Sequence, residues 1–217
     1  MKQIIALAAL AVSALAPTLA HAGLDSDNPI HPLVGVAITA GGDKIASVEY
    51  ANGGSRNITA GGLVQLSGGV EYHEKGQPWG VQATIGYHFD NTSADNGNQR
   101  FQRWPVEAIG LFNLTPKFRV GVGARYAAAA KFTSDGAGYV GNADFKSRLG
   151  GLVMAEWLIT PSMGVQLRFV DEKYKVDETN ISTGATRRVN IDGSHAGLGF
   201  NYYFRRPAFR RRVSESR

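Results

Sequence analysis

From Trp79 to Phe89 the chain reads Trp-Gly-Val-Gln-Ala-Thr-Ile-Gly-Tyr-His-Phe, with every odd position apolar or aromatic and every even position small or polar. Period two marks an extended strand with unlike faces, because successive strand side chains point to opposite sides. A helix would scatter the same residues around its circumference. Eight segments obey the pattern. Their apolar sets are Val34, Val36, Ile38 and Ala40; Val64, Leu66, Gly68, Val70 and Tyr72; Trp79, Val81, Ala83, Ile85, Tyr87 and Phe89; Trp104, Val106, Ala108, Gly110 and Phe112; Phe118, Val120, Val122, Ala124 and Tyr126; Leu149, Gly151, Val153, Ala155, Trp157 and Ile159; Met163, Val165, Leu167 and Phe169; and Ala196, Leu198, Phe200, Tyr202 and Phe204. None of these residues is charged, whereas the opposite faces carry Glu71, Glu107, Arg119, Arg125, Glu156 and Arg168.

The connections alternate too. Glu74-Lys-Gly-Gln-Pro78, Leu114-Thr-Pro-Lys117 and Thr160-Pro-Ser162 are tight, while those at roughly 42–62, 90–100, 127–147 and 171–193 are long and rich in Gly, Asn, Asp, Ser and Thr. Short turns at one rim and long loops at the other, with an apolar outer face, predict an all-β, eight-stranded antiparallel up-and-down transmembrane β-barrel. Both termini then lie at the short-turn rim. Aromatic residues gather at the strand ends: Trp79, Phe112, Phe118, Trp157 and Phe204 beside the tight turns, and Tyr87, Phe89, Trp104, Tyr126 and Phe169 toward the long connections. Two interfacial girdles follow from that placement.

Met1 and Lys2, the apolar run Ile4 to Ala16 and the small-x-small site Ala20-His21-Ala22 read as a secretory signal peptide over residues 1–22. The barrel is then expected over 23–204 and a basic periplasmic tail over 205–217. No later segment has the roughly 18 consecutive apolar residues that a helical span needs, so membrane insertion has to use strands. A mean hydropathy of -0.16 agrees with that, since a barrel gives lipid only every second residue. The chain has no cysteine, which removes disulfides, thiolate metal sites and thiol nucleophiles. Its net charge of +5 is a tail property: without Lys2 and the residues after Phe204, 16 basic residues face 17 acidic ones.

On these features the chain resembles the outer-membrane β-barrel family that includes the small OmpA/OmpX-like and opacity-type proteins. The likeness covers residues 31 to 204. It rests on two strand-turn-strand units, Phe112-Asn-Leu-Thr-Pro-Lys-Phe-Arg-Val-Gly-Val-Gly-Ala-Arg-Tyr126 and Trp157-Leu-Ile-Thr-Pro-Ser-Met-Gly-Val-Gln-Leu-Arg-Phe169, and on the ending Gly199-Phe-Asn-Tyr202-Tyr-Phe204. That ending resembles the signal read by the barrel assembly machinery, with Gly199, Tyr202 and Phe204 as its carriers. Two departures stand out: thirteen residues follow Phe204, and position 198, often polar in the signal, is Leu. The resemblance implies a bacterial outer-membrane location and a β-barrel. It speaks weakly to function, because the family holds adhesins, lipid A enzymes and barrels of no known activity.

Eight strands enclose a space that side chains fill. Three acids, Glu71, Glu107 and Glu156, and three bases, Arg119, Arg125 and Arg168, are therefore expected to form an ion network spanning and plugging the lumen. The leading expectation is a non-enzymatic envelope scaffold that displays its loops. One alternative is a small porin-like channel. The other is a lipid A-modifying enzyme using the inward-facing His88, with Asp90, Ser93 and Glu172 nearby, although no strand carries a His-x-Ser pair to supply nucleophile and base. His31, His73 and His195 fall on three elements without ligand spacing, so neither a metal nor a cofactor is expected. The G-x-G-x-x-G match at Gly136–Gly141 has no helix after it and fails as a dinucleotide site.

The long connections read first as solvated polar loops; exposed function would sit in the third, with Lys131, Phe132, Asp135, Tyr139 and Asp144, or, if strands 1 and 2 continue above the membrane, on a strand extension over Ile45-Ala-Ser-Val-Glu-Tyr50 whose edge a partner could pair. Expected partners are outer-membrane lipid and lipopolysaccharide, the assembly machinery, and peptidoglycan or anionic headgroups for the tail Arg205 to Arg217. Nucleic acid is excluded by compartment, and a monomer is expected.

Overall fold

The computed structural model describes residues 28–49, 54–94, 97–135, 141–179 and 186–204; the expected leader and basic tail lie outside them. Thirteen strands follow in chain order: β1 (Ile30–Gly41), β2 (Lys44–Glu49), β3 (Ser55–Thr59), β4 (Leu63–Tyr72), β5 (Trp79–Ala94), β6 (Gly97–Asn113), β7 (Phe118–Ser134), β8 (Ala143–Ser147), β9 (Gly150–Thr160), β10 (Met163–Asp171), β11 (Lys173–Thr179), β12 (Thr186–Asp192) and β13 (His195–Tyr203). Eight of them, β1, β4, β5, β6, β7, β9, β10 and β13, pair antiparallel in that order, and the ring closes where β1 pairs with β13. Val36 shows the closure residue by residue, since it faces Leu66 on one neighbour and Phe200 on the other. No strand edge is left open in the ring, which removes the liability of unpaired backbone groups.

Each of the eight apolar sets lies on the outer wall. Ile38 is 67% exposed, Val122 66%, Trp157 62% and Leu198 60%, while their chain neighbours point inward and are largely buried. A soluble protein rarely leaves a continuous apolar surface on this scale. Here the ordinary arrangement is inverted, with the charges inside.

The four long connections are not the polar loops expected from composition. β5 runs on to Ala94 and β6 begins at Gly97, so the 90–100 segment is a hairpin end. β8 lies in the third connection, and β11 and β12 make up most of the fourth. These extensions lift one wall of the barrel above the ring. Their alternation is weak in the sequence because the outer face meets water and only a few inner positions, such as Phe101, Phe132, Phe145, Tyr174 and Ile191, are apolar.

β7 adds a second cause. Gln102 pairs with Lys131 but Trp104 pairs with Ala128, so β7 carries one residue more than β6 across this bulge. The phase flips there: Arg125 and Ala127 point inward before the bulge, and Ala130 and Phe132 after it. The four alanines at 127–130 give no period to read, and Phe132, expected as an exposed loop residue, is buried. Ala129 takes a φ of +48°, a left-handed conformation that costs an L-residue with a Cβ on the order of 1–2 kcal/mol. Part of this is recovered with glycine, so Ala129→Gly is expected to stabilise the barrel by about 0.5–1 kcal/mol, read from urea unfolding in detergent.

β2 and β3 form a separate two-stranded sheet rather than a continuation of the ring. Of the expected extension, residues 45–49 lie in β2, which pairs with β3 rather than continuing the wall, and Tyr50 lies outside the described residues. The chain turns out of β1 through Gly41 and Gly42, both at positive φ, where a Cβ on Gly42 would press on the backbone of Gly61 and Asp192. The hairpin carries Ile58 into a closed apolar cluster with Phe101, Phe132, Tyr174, Ala127 and Ala130. This cluster caps the outer end of the lumen.

Candidate functional site

The inward positions of the ring hold two charged groups. Near the tight turns, Arg119 donates through Nε to Glu156 Oε2 at 2.7 Å and through Nη1 to Glu71 Oε1 at 2.8 Å. The Tyr203 hydroxyl donates to Glu156 Oε1 at 2.7 Å, Asn201 Nδ2 donates to the same oxygen at 3.0 Å, and the guanidinium lies over the Tyr203 ring at 4.8 Å. Glycine makes room for these side chains, since a Cβ on Gly164 would strike the Glu156 carboxylate and one on Gly35 would strike Asn201.

Toward the outer end, five charges form a chain. Arg103 Nε stands 3.4 Å from Glu172 Oε1, Arg125 joins Glu172 at 2.7 Å and Glu107 at 2.5 Å, and Arg168 joins Glu107 at 2.6 Å. Gln65 and Thr84 add neutral hydrogen bonds, accepting from Arg125 at 2.9 Å and donating to Glu107 at 3.3 Å. Glu172 also accepts from the Tyr174 hydroxyl, which ties the chain to the apolar cap. Between the two groups, Ile109, Leu111, Leu152, Met154 and Val170 fill one side of the lumen.

The six residues expected in one network are thus divided: Glu71, Arg119 and Glu156 in the inner group, Glu107, Arg125 and Arg168 in the outer. Reading charges alone missed Arg103, and Glu172 had been placed with His88 as a catalytic partner. Alternation held the signal for both, because Arg103 precedes the outward Trp104 and Glu172 keeps the phase of Arg168.

His88 is fully buried among these cations. Its Nδ1 lies 3.1 Å from Arg125 Nη2, and its Nε2 lies 2.8 Å from Thr39 Oγ1 and 3.2 Å from Arg103 Nη2. A guanidinium only donates, so each ring nitrogen has a cation's N–H beside it, Arg125 at Nδ1 and Arg103 at Nε2, and Thr39 shares the Nε2 side with Arg103. The orienting carboxylate of a hydroxyl-activating pair is replaced by a cation. His195, assigned in the sequence to an unrelated element, lies beside this ring, edge to face at 5.1 Å.

The girdle residues face outward. Trp79 pairs in register with Phe112, and Phe118 with Trp157, at the tight-turn end, where Phe204 is half-buried beside Tyr202 at 4.9 Å. Trp104 lies at the opposite end, 4.9 Å from Tyr87. Gly199 points inward against Ala37, and Leu198, the departure from the assembly signal, faces the outer wall.

No family model matches the chain, and no curated protein matches it. Solved structures do align with it. Neisserial surface protein A aligns at TM-score 0.46 and 13% identity, over 82% of this chain and 98% of its own. The outer membrane protein AlkL, studied in lipid bilayers, aligns at 0.46 and 12%, over 87% and 97%. The outer membrane protein OprG of Pseudomonas aeruginosa aligns at 0.42 and 14%, over 83% and 98%.

Proposed function

We propose that this chain is a bacterial outer-membrane barrel without catalytic activity, an envelope scaffold that holds a β-structured rim out from the membrane. One observation carries the reading: a ring without edges has an apolar outer wall, while its charges are inside. Backbone polar groups in hydrocarbon must all be satisfied within the protein, and a closed barrel is the strand solution to that demand. The tight turns and the first and last residues of the ring, Ile30 and Tyr203, face the periplasm in this reading, and the extensions face the medium. Lipid and lipopolysaccharide surround the wall, and the assembly machinery reads Gly199, Tyr202 and Phe204. The barrel is a monomer, and the tail from Arg205 to Arg217 meets anionic headgroups or peptidoglycan through its positive charge.

The ion groups, the apolar filling between them and the cap above support a plugged lumen over a porin-like channel. The cation flanking of His88 speaks against a lipid A-modifying enzyme. Purified protein is expected to remain in detergent or lipid, to migrate differently on a gel before and after heating, and to give no steady conductance in planar bilayers. A stable open-channel conductance would overturn the plug, and solubility without detergent would overturn the membrane reading.

A further inference from the structure

At the far ends of β5, β6 and β7 the structure holds a cup of about 460 Å³ lined by Asn91, Asn98, Arg100, Thr133, Asp135 and Asn142, with Thr92, Gln99 and Ser134 beneath. We propose that this cup binds a neutral saccharide unit through adjacent hydroxyl groups. The inference rests on the reading above for its setting, since it needs the strand extensions to face the medium.

Every side chain of the lining is polar, so an apolar ligand finds no surface to bury against. The single cation, Arg100, is matched by the single acid, Asp135, and the cup offers a charged ligand no net attraction. What remains is a dense set of amides and hydroxyls. Such groups both donate and accept, as each hydroxyl of a sugar does. A guanidinium fork and a carboxylate can each hold two neighbouring hydroxyls by charge-assisted bonds, which are stronger than neutral ones.

The rim is fixed before any ligand arrives. Asp135 Oδ1 accepts from the Asn98 backbone N–H at 2.7 Å, and the Asp135 N–H donates to the Asn98 carbonyl at 2.9 Å. Asn142 Oδ1 accepts from the Ser134 N–H at 2.9 Å. These bonds use one oxygen of each side chain, and among the described residues no hydrogen bond engages the Asp135 Oδ2 or the Asn142 amide N–H groups. Asn91 lines the cup with its Oδ1 buried in the wall, so what it can turn toward a ligand is its amide N–H side. Pre-ordering of this kind spares a small ligand the entropy of organising its own site.

Saturation-transfer NMR on the purified full-length barrel in detergent, with glucose, galactose and N-acetylglucosamine as probes, tests the proposal. At least one probe is expected to receive saturation with a dissociation constant on the order of 1 mM. N-acetylneuraminic acid, whose carboxylate meets Asp135, is expected to bind more weakly than that probe. Arg100→Ala, an exposed change outside the rim's own bonds, is expected to weaken binding about tenfold or more while heat-modifiable migration stays unchanged. Absence of transfer to all three neutral sugars, or transfer that survives Arg100→Ala undiminished, overturns the proposal. The assay does not depend on which way the barrel faces in a membrane. Its failure leaves the scaffold reading intact, and protease access to the rim on whole cells tests that orientation separately.

Discussion

Arg119→Met is expected to lower the unfolding free energy by about 3–5 kcal/mol, the usual cost of removing one partner from a buried ion group. Arg119 is the cation shared by Glu71 and Glu156, and all three side chains are essentially inaccessible. Without it, Glu71 keeps, among the described residues, His73 at 3.9 Å, and Glu156 keeps the uncharged donors Tyr203 and Asn201. Two carboxylates would then face each other's field in a space of low dielectric. Arg125→Met makes an informative comparison, because its removal still leaves Glu172 beside Arg103 and Glu107 beside Arg168. It should cost less than Arg119→Met although Arg125 makes more contacts. The triple variant Arg119→Met, Glu71→Gln, Glu156→Gln should recover most of the loss, since removing all the charges avoids the orphaned ones. Urea unfolding in lipid vesicles, read by tryptophan fluorescence, orders the variants. Equal losses at Arg119 and Arg125 would mean that contact number, not charge balance, governs the lumen.

The ring was legible because each of its strands is bounded by two different solvents. Hydrocarbon outside and a packed, charge-bearing lumen inside press every position to choose, and the choice is written in period two from Val34 to Phe204. Above the membrane that pressure ends. Water meets the outer face of β8, β11 and β12, so Lys146, Lys175 and Arg188 occupy positions where Leu167 and Phe169 stand lower on the same wall. Composition then suggested loops where the backbone stays extended. The bulge at Ala129 shows a different limit, since a one-residue phase change inside an alanine run leaves no mark in the pattern. The lumen was half legible: alternation chose the inward residues, but which acid meets which base depends on stagger between strands, and no single strand records it. Arg119 and Glu71 are 48 positions apart and share a hydrogen bond because four strands bring them to one height.

Val122→Arg tests the solvent of the outer wall directly. Val122 is 66% exposed, and in a water-soluble protein a change at so open a site usually shifts stability by no more than about 0.5 kcal/mol. Counted along β7 it lies four residues from Phe118 in the tight-turn girdle and four from Tyr126 in the outer one, which puts it near the middle of the apolar band. An arginine at the bilayer midplane of a barrel costs about 2–4 kcal/mol, whereas one close to the interface costs about 0–1. Val122→Arg is therefore expected to lose about 2–4 kcal/mol in bilayers, and Tyr126→Arg to lose less of its stability to the charge itself. The same Val122→Arg protein in a small, easily deformed detergent micelle should lose less than in the bilayer, because water reaches the guanidinium there. The dependence on depth and host separates a hydrocarbon-facing wall from a surface that merely contains many apolar residues. A Val122→Arg barrel as stable in bilayers as the parent would remove the premise on which the inverted arrangement of charge and apolar surface has been understood.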